Sequence, residues 1–246
     1  MIGARTAVSF AAAAAAIVLT TALGQWQLRR ADEKLALQAQ WDRAQQAPAV
    51  AVSGEALDTI AGRLPLRVAL RGRFLHEHEL WLDNRQMDGR AGFMLVTPLR
   101  LADGAVVLVN RGFAPRDALD RGRLPPVARP QEEVSVEGLA VPHPARVLQL
   151  GREAAVPGGG PTLWQNLDYD AYERQSGLAV PRWVVQQTDG GDDGLRRNWP
   201  RLAAGVDKHR GYALQWFSLA ALLATLSLFF GVRAMRRRLL PNRSDE

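Results

Sequence analysis

The residues of this chain best suited to chemistry are His209, Tyr212 and Trp216, within Asp207-Lys-His-Arg-Gly-Tyr-Ala-Leu-Gln-Trp-Phe217. If a helix begins near Asp207, the three fall at i, i+3 and i+7 and share one stripe. Neutral imidazole is a standard axial ligand for haem iron. Tyr212 and Trp216 could wall the apolar ring, and Lys208, Arg210, Arg29 or Arg30 could pair with its propionates. The same residues also suit a plainer task. An imidazole between Lys208 and Arg210 can simply sit among phospholipid headgroups, and one histidine without a second motif does not choose between the two.

No other constellation competes with this one. The sequence has no Gly-x-Ser-x-Gly, no phosphate-binding glycine loop and no His-Glu-x-x-His. His76-Glu77-His78 is the only close histidine pair. On a strand its rings would share a side and could hold a metal, but two exposed histidines in a polar turn are the better expectation. His143 lies between two prolines, as a solvated loop residue would. The chain has no cysteine, which excludes a disulfide scaffold, thiolate metal sites and thiol redox chemistry.

The elements that would position His209 follow from charge and hydropathy. Gly211 to Val232 is free of charge, long enough to span a bilayer as a helix. Arg233, Arg236, Arg237, Arg238 and Arg243 follow it, a cluster that marks the cytoplasmic side. Net charge is +6, yet from Trp26 to Arg210 there are 25 Lys+Arg against 23 Asp+Glu. The largest share of the excess is therefore in the tail, and no basic run interleaved with aromatics invites nucleic acid.

A second apolar stretch, Ala7 to Leu23, lies near the N-terminus. Read as a cleaved signal it would need Thr20-Thr21-Ala22 as its cleavage site. An uncleaved span suits it better, with Trp26 at the interface and Arg29-Arg30 beyond. Leu23, Trp26, Gln27, Arg30 and Lys34 recur on one helical face, and no proline interrupts before Pro48. Trp26 and Arg30 on that face could anchor and snorkel, or Trp26, Gln27 and Arg30 could face the second span.

Between the spans the pattern is that of short strands. Leu66–Phe74, Glu79–Leu82, Gly92–Leu101, Ala105–Arg111, Val134–Val141, Val147–Leu150 and Pro181–Gln187 are predicted strands, with Ala102-Asp103-Gly104 as a hairpin turn. Asn110-Arg111-Gly112 reads as a strand end and a turn. Asp168 is a predicted N-cap for a short helix ending at Gly177. Pro157-Gly-Gly-Gly-Pro161 is a loop, and residues 188–201 read as a polar linker. The expected fold is membrane α+β: a two-helix transmembrane hairpin carrying a mainly antiparallel sheet or small barrel. Its parts are a first span at 1–26, an extracytoplasmic domain at 27–210 with a helical extension to about 45, a second span at 211–232 and a basic tail at 233–246.

Several of these segments together resemble the surfeit-locus family of cytochrome c oxidase assembly factors. They are Gly24-x-Trp26-Gln27-Leu28-x-Arg30-x-x-x-Lys34; Gly92-Phe93 with Thr97-Pro98; Asp103-Gly104; Leu108-Val-Asn-Arg-Gly112 with Pro115; and Lys208-His209-x-x-Tyr212-Ala-Leu-Gln-Trp-Phe217. Phe113 stands where the family usually has tryptophan, and 142–160 show no family pattern. The resemblance implies a non-enzymatic membrane protein with both termini cytoplasmic and its central domain periplasmic, in a bacterial inner membrane. It would help build the haem A site of oxidase subunit I, with that subunit and haem A synthase as partners. Haem A would be held transiently, with His209 toward the iron and Tyr212, Trp216, Trp26, Arg30 and Arg210 around it. A membrane-anchored interaction module without a cofactor is the alternative. An anchored hydrolase lacks a nucleophile–base pair.

Overall fold

In a computed structural model of the chain, the described residues are 4–117, 119–120, 123–144, 162–199 and 205–239. They form two compact units, Met1–Ala39 with Arg201–Glu246, and Gln40–Pro200. The predicted strand at Val147–Leu150 and the loop at Pro157–Pro161 lie outside the described residues.

The first unit is built from two long helices, α1 (Ala4–Gln46) up to Ala39 and α4 (Val206–Leu239). Both are long and apolar enough to cross a membrane, and few residues of either apolar window are buried. Val18, Leu214, Leu228 and Phe230 point outward, as lipid-facing side chains do. The chain thus carries a two-helix membrane anchor and a β domain.

The second unit is built on eight strands: β1 (Val50–Ala51), β2 (Leu66–Phe74), β3 (Leu80–Met87), β4 (Arg90–Leu101), β5 (Val106–Pro115), β6 (Val134–Val141), β7 (Thr162–Trp164) and β8 (Val184–Gln187). Their order is β1-β2-β6-β8-β5-β4-β3-β7, and β2 also pairs with β4. That extra pairing closes β2, β6, β8, β5 and β4 into a five-stranded barrel. All its seams are antiparallel except β5–β8.

Strand alternation explains the core. Val68 and Leu70, Val136 and Ala140, Val185, Val107 and Val109, and Leu99 and Leu101 come from the five barrel strands and pack in one cluster, the barrel interior. Trp183, fully buried in the same cluster, donates its Nε1–H to Leu57 O at 3.3 Å. Residues of opposite parity, among them Val106, Leu108, Leu139, Val141 and Val184, form a second cluster with Leu80, Leu82 and Trp164. Tyr172 of α3 (Tyr169–Ser176) packs there too and donates its hydroxyl to His78 O at 2.9 Å. Burial holds that phenol's pKa above its ordinary value. Asp168 caps α3 as expected, accepting from Ala171 N at 3.0 Å.

Gly72 marks the place where the barrel closes. It pairs with Val134 of β6 on one side and Leu101 of β4 on the other. A Cβ there would meet Arg100 O at 2.1 Å. Only a residue without a side chain lets the two backbones come so near.

Three expectations are corrected. The polar turn expected at residues 76–78 is present as a 3-10 turn, but its two histidines are half-buried rather than exposed. His76 has Nδ1 2.8 Å from Glu79 Oε1 and Nε2 2.8 Å from Pro130 O. Both ring nitrogens are thus engaged, and neither is left for a metal. Asn110-Arg111-Gly112 is not a strand end, because β5 continues to Pro115. Finally, the presumed linker after Thr188 packs against the barrel through 199. Leu195 is buried beside Trp81 and Phe93, Arg196 bridges to Phe113, and Trp199 donates to Gln187 O at 2.9 Å.

Candidate functional site

The α1–α4 seam is set by small side chains at heptad spacing. On α1 it runs through Thr20, Gly24, Gln27, Ala31 and Lys34, and on α4 through Val206, His209, Ala213, Trp216 or Phe217, and Ala220. Gly24 and Ala31 are seven apart, as are Ala213 and Ala220, so both backbones can come close. A Cβ on Gly24 would lie 2.7 Å from the Phe217 ring. Gly205 lies opposite Lys34, and Gly231 opposite Phe10. The helices therefore run antiparallel.

His209 sits on this seam, half-buried, with Nδ1 2.7 Å from Gln27 Oε1. Among the described residues no partner reaches its Nε2. Gln27 closes the charge-free stretch of α1 before Arg29, and His209 precedes that of α4, which starts at Gly211. The pair therefore lies at the polar end of both apolar segments.

The other sequence-selected residues are placed as follows. Trp216 shares the seam and is half-buried. Tyr212 lies one position aside of it and is 53% exposed. Trp26 is 48% exposed, and Arg30 turns outward to pair with Glu33 at 2.5 Å. Arg210 is exposed. The face of α1 toward α4 thus contains Gln27 but not Trp26 or Arg30. Each of those precedes a seam residue by one position, a rotation of about 100° on a helix. Gln27 is offered by the sequence for this face together with Trp26 and Arg30, but not as a haem-contacting residue in its own right. The signal that singles it out is the small-residue heptad Gly24…Ala31, with Gln27 between its members.

A buried charge cluster in the second unit is the other notable polar feature. β5 holds one residue more than β4 here: Leu95 pairs with Gly112 and Val96 with Asn110, which leaves Arg111 as a bulge. Gly112 takes a φ of 145° to allow it. The bulge turns Arg111 inward, to 2% exposure. Its Nη2 donates to Ala128 O at 2.8 Å, and its guanidinium lies 4.9 Å from the Phe74 ring centre. Asp193 approaches at 3.6 Å and Glu79 at 3.8 Å. Glu79 also binds Arg129 at 2.9 Å, and Asp193 pairs with Arg197. Burial lowers the Arg111 pKa, while Asp193 and Glu79 oppose that shift. A cleft of about 460 Å³ runs past Phe74, Arg111, Arg129, Ser135, Gln187 and Asp193. Among the described residues no three His, Asp or Glu side chains converge as a metal site. This cluster pins the 123–130 and 189–199 segments to the barrel.

Comparison with known proteins agrees with these features. The SURF1 family model matches residues 14–221, through both helices and the barrel. Surfeit locus protein 1 of Rattus norvegicus is 29% identical over 231 residues, covering 85% of this chain and 70% of its own length. A SURF1-like protein of Monosiga brevicollis is 28% identical, covering 86% of this chain and 83% of its own length. One from the bacterium Rickettsia bellii is 25% identical and covers 92% of each. With the match spanning the helix pair that carries His209 and every barrel strand, the chain belongs to the SURF1 family.

Proposed function

We propose that this chain is a non-enzymatic assembly factor for a haem–copper cytochrome c oxidase, one that holds haem A transiently on its way to subunit I. The observation that carries this reading is His209 at the polar end of the helix pair, with Nδ1 engaged by Gln27 and Nε2 bearing no partner among the described residues. That donor fits a haem, since a ligating imidazole needs one nitrogen anchored and the other bare. Bound haem would supply an iron able to accept one imidazole, and two propionates that attract cations. His209 would hold the iron. Trp216 on the seam, with the exposed rings of Tyr212 on the same helix and of Trp26 next to Gln27, offers apolar surface at the depth of the headgroups. Arg30 and Arg210 are the cations at that level. A site made by two helices and open to lipid binds weakly enough to give its ligand up, as a carrier must. Haem A synthase, as the source of the ligand, is the second partner in this scheme.

The full chain purified from cells that make haem A is expected to carry haem, visible in its absorption spectrum. His209→Ala should lose it while reaching the membrane at normal levels. Trp216→Ala should weaken retention less, because it removes packing and leaves the iron bond. Wild-type haem content and spectrum in His209→Ala would sink this reading and favour a membrane-anchored interaction module without a cofactor.

The proposed location is a bacterial inner membrane, with both termini cytoplasmic and the β domain periplasmic. Support comes from the arginines that follow Val232. Reporter fusions after Gly160 and after Arg243 are expected to report opposite sides. A cytoplasmic signal at Gly160 would overturn the orientation.

A further inference from the structure

We infer that Gln27 sets the tautomer of His209 and thereby makes Nε2 the ring atom that meets the ligand. This assignment rests on the haem reading above and extends it from the ligand to the residue that positions it. An amide oxygen can only accept a hydrogen bond. With Gln27 Oε1 2.7 Å from Nδ1, that nitrogen must donate. A neutral ring protonated at Nδ1 has its lone pair on Nε2. Imidazole side chains free in water prefer the opposite arrangement, with the proton on Nε2, where it would block a metal. Gln27 reverses that preference from the facing helix.

The surroundings explain how one amide can do this. Gly24 and Ala31 flank Gln27 on its own face of α1, and Ala213 lies one turn beyond His209 on α4. These small residues bring the backbones close enough for the Gln27 side chain to cross the seam. The Phe217 ring rests on Gly24, which fixes the register about two turns from His209. Trp26 and Arg30, the more conspicuous neighbours in sequence, turn away from the seam and leave the Nδ1 position to Gln27.

The test uses the full chain in lipid nanodiscs, labelled with ¹⁵N-histidine and free of haem. The His209 signals are identified by their loss in His209→Ala. In the wild type, Nδ1 should show the shift of a protonated nitrogen and Nε2 that of a bare one. Gln27→Leu should move the proton to Nε2 or mix the two forms, and Gln27→Glu, which keeps an acceptor, should restore the wild-type pattern. Titration with ferric haem should show roughly 10- to 100-fold weaker binding for Gln27→Leu, the usual loss when a ligating histidine loses its hydrogen-bond partner. Gln27→Glu should bind within a few-fold of wild type, which separates lost positioning from a damaged helix pair. Unchanged nitrogen shifts in Gln27→Leu, or unchanged affinity while His209→Ala still loses haem, would overturn the role of Gln27. Wild-type affinity in His209→Ala would instead remove the iron from the assignment, and the nitrogen shifts would still decide which residue sets the tautomer.

Discussion

A Gly72→Val chain is expected to lose its barrel. The first atom added at this position would lie 2.1 Å from Arg100 O, and the obstacle is backbone, not a movable side chain. β2 has a strand on both sides at this residue, where Gly72 stands opposite Val134 and Leu101. It has no free edge toward which to shift. The clash must therefore open either the β2–β4 seam or the β2–β6 seam, and each exposes part of the interior lined by Val68, Leu70, Leu99 and Leu101. The cost should exceed about 4 kcal/mol, in the range of the most damaging single substitutions. Limited proteolysis of the full chain in detergent measures it directly. Wild-type resistance of the central domain in Gly72→Val would show that the strands can separate at this point without opening the barrel.

Arg111→Ala should be nearly as harmful, for an electrostatic reason. The guanidinium is almost wholly buried between Glu79 and Asp193. Removing it leaves two desolvated carboxylates short of a cation and leaves Ala128 O without its donor. Breaking a buried pair in this way costs about 3–5 kcal/mol. Arg129 and Arg197 retain part of the balance, so the lower half of that range is expected. Arg111→Lys should lie between wild type and alanine. It keeps the charge but not the planar fork that reaches Ala128 O while lying on Phe74. Urea titration followed by tryptophan fluorescence would separate the three. A loss below about 1 kcal/mol in Arg111→Ala would mean that the 123–130 and 189–199 segments are held by other contacts.

Much of the architecture is legible in the sequence where one physical signal dominates. β2 alternates because one face points to the interior, β6 is apolar on both faces only in its second half, and the limits of both are found to the residue at Leu66–Phe74 and Val134–Val141. The helix pair is legible from charge-free length, and α3 from its Asp168 cap. β5 is buried on both faces, so alternation is absent and its true end at Pro115 is hidden. β7, at three residues, is too short to show a period. The parallel β5–β8 seam joins segments about 75 residues apart, and no local pattern encodes such a pairing.

The candidate site was legible to a similar degree. His209 stands out by its position at the end of an apolar run. Its partner Gln27 does not, because a glutamine beside Trp26 and Arg30 looks like ordinary interfacial polarity. Only the small residues Gly24 and Ala31 on either side of it along the helix face distinguish it. Arg111 is hidden for a different reason. A bulge is a property of two strands in register, and one strand read alone gives no hint that its arginine turns inward. The segment after Thr188 resembles a linker because charge pairs and a single leucine hold it, not an apolar period.

The place of β8 has a consequence for the order of events during synthesis. This strand, Val184–Gln187, lies between β6 and β5 and is the last to leave the ribosome. Until it arrives, those two neighbours have exposed edges of unpaired backbone groups, the kind of surface that recruits other chains. A nascent polypeptide already tethered by its first helix must carry that open sheet through most of its translation. α4 begins at Val206, so completion of the barrel and emergence of the second anchor follow each other closely. A stop codon between Val141 and Val184 therefore yields a membrane-bound half-sheet prone to aggregation, rather than a smaller version of the same domain.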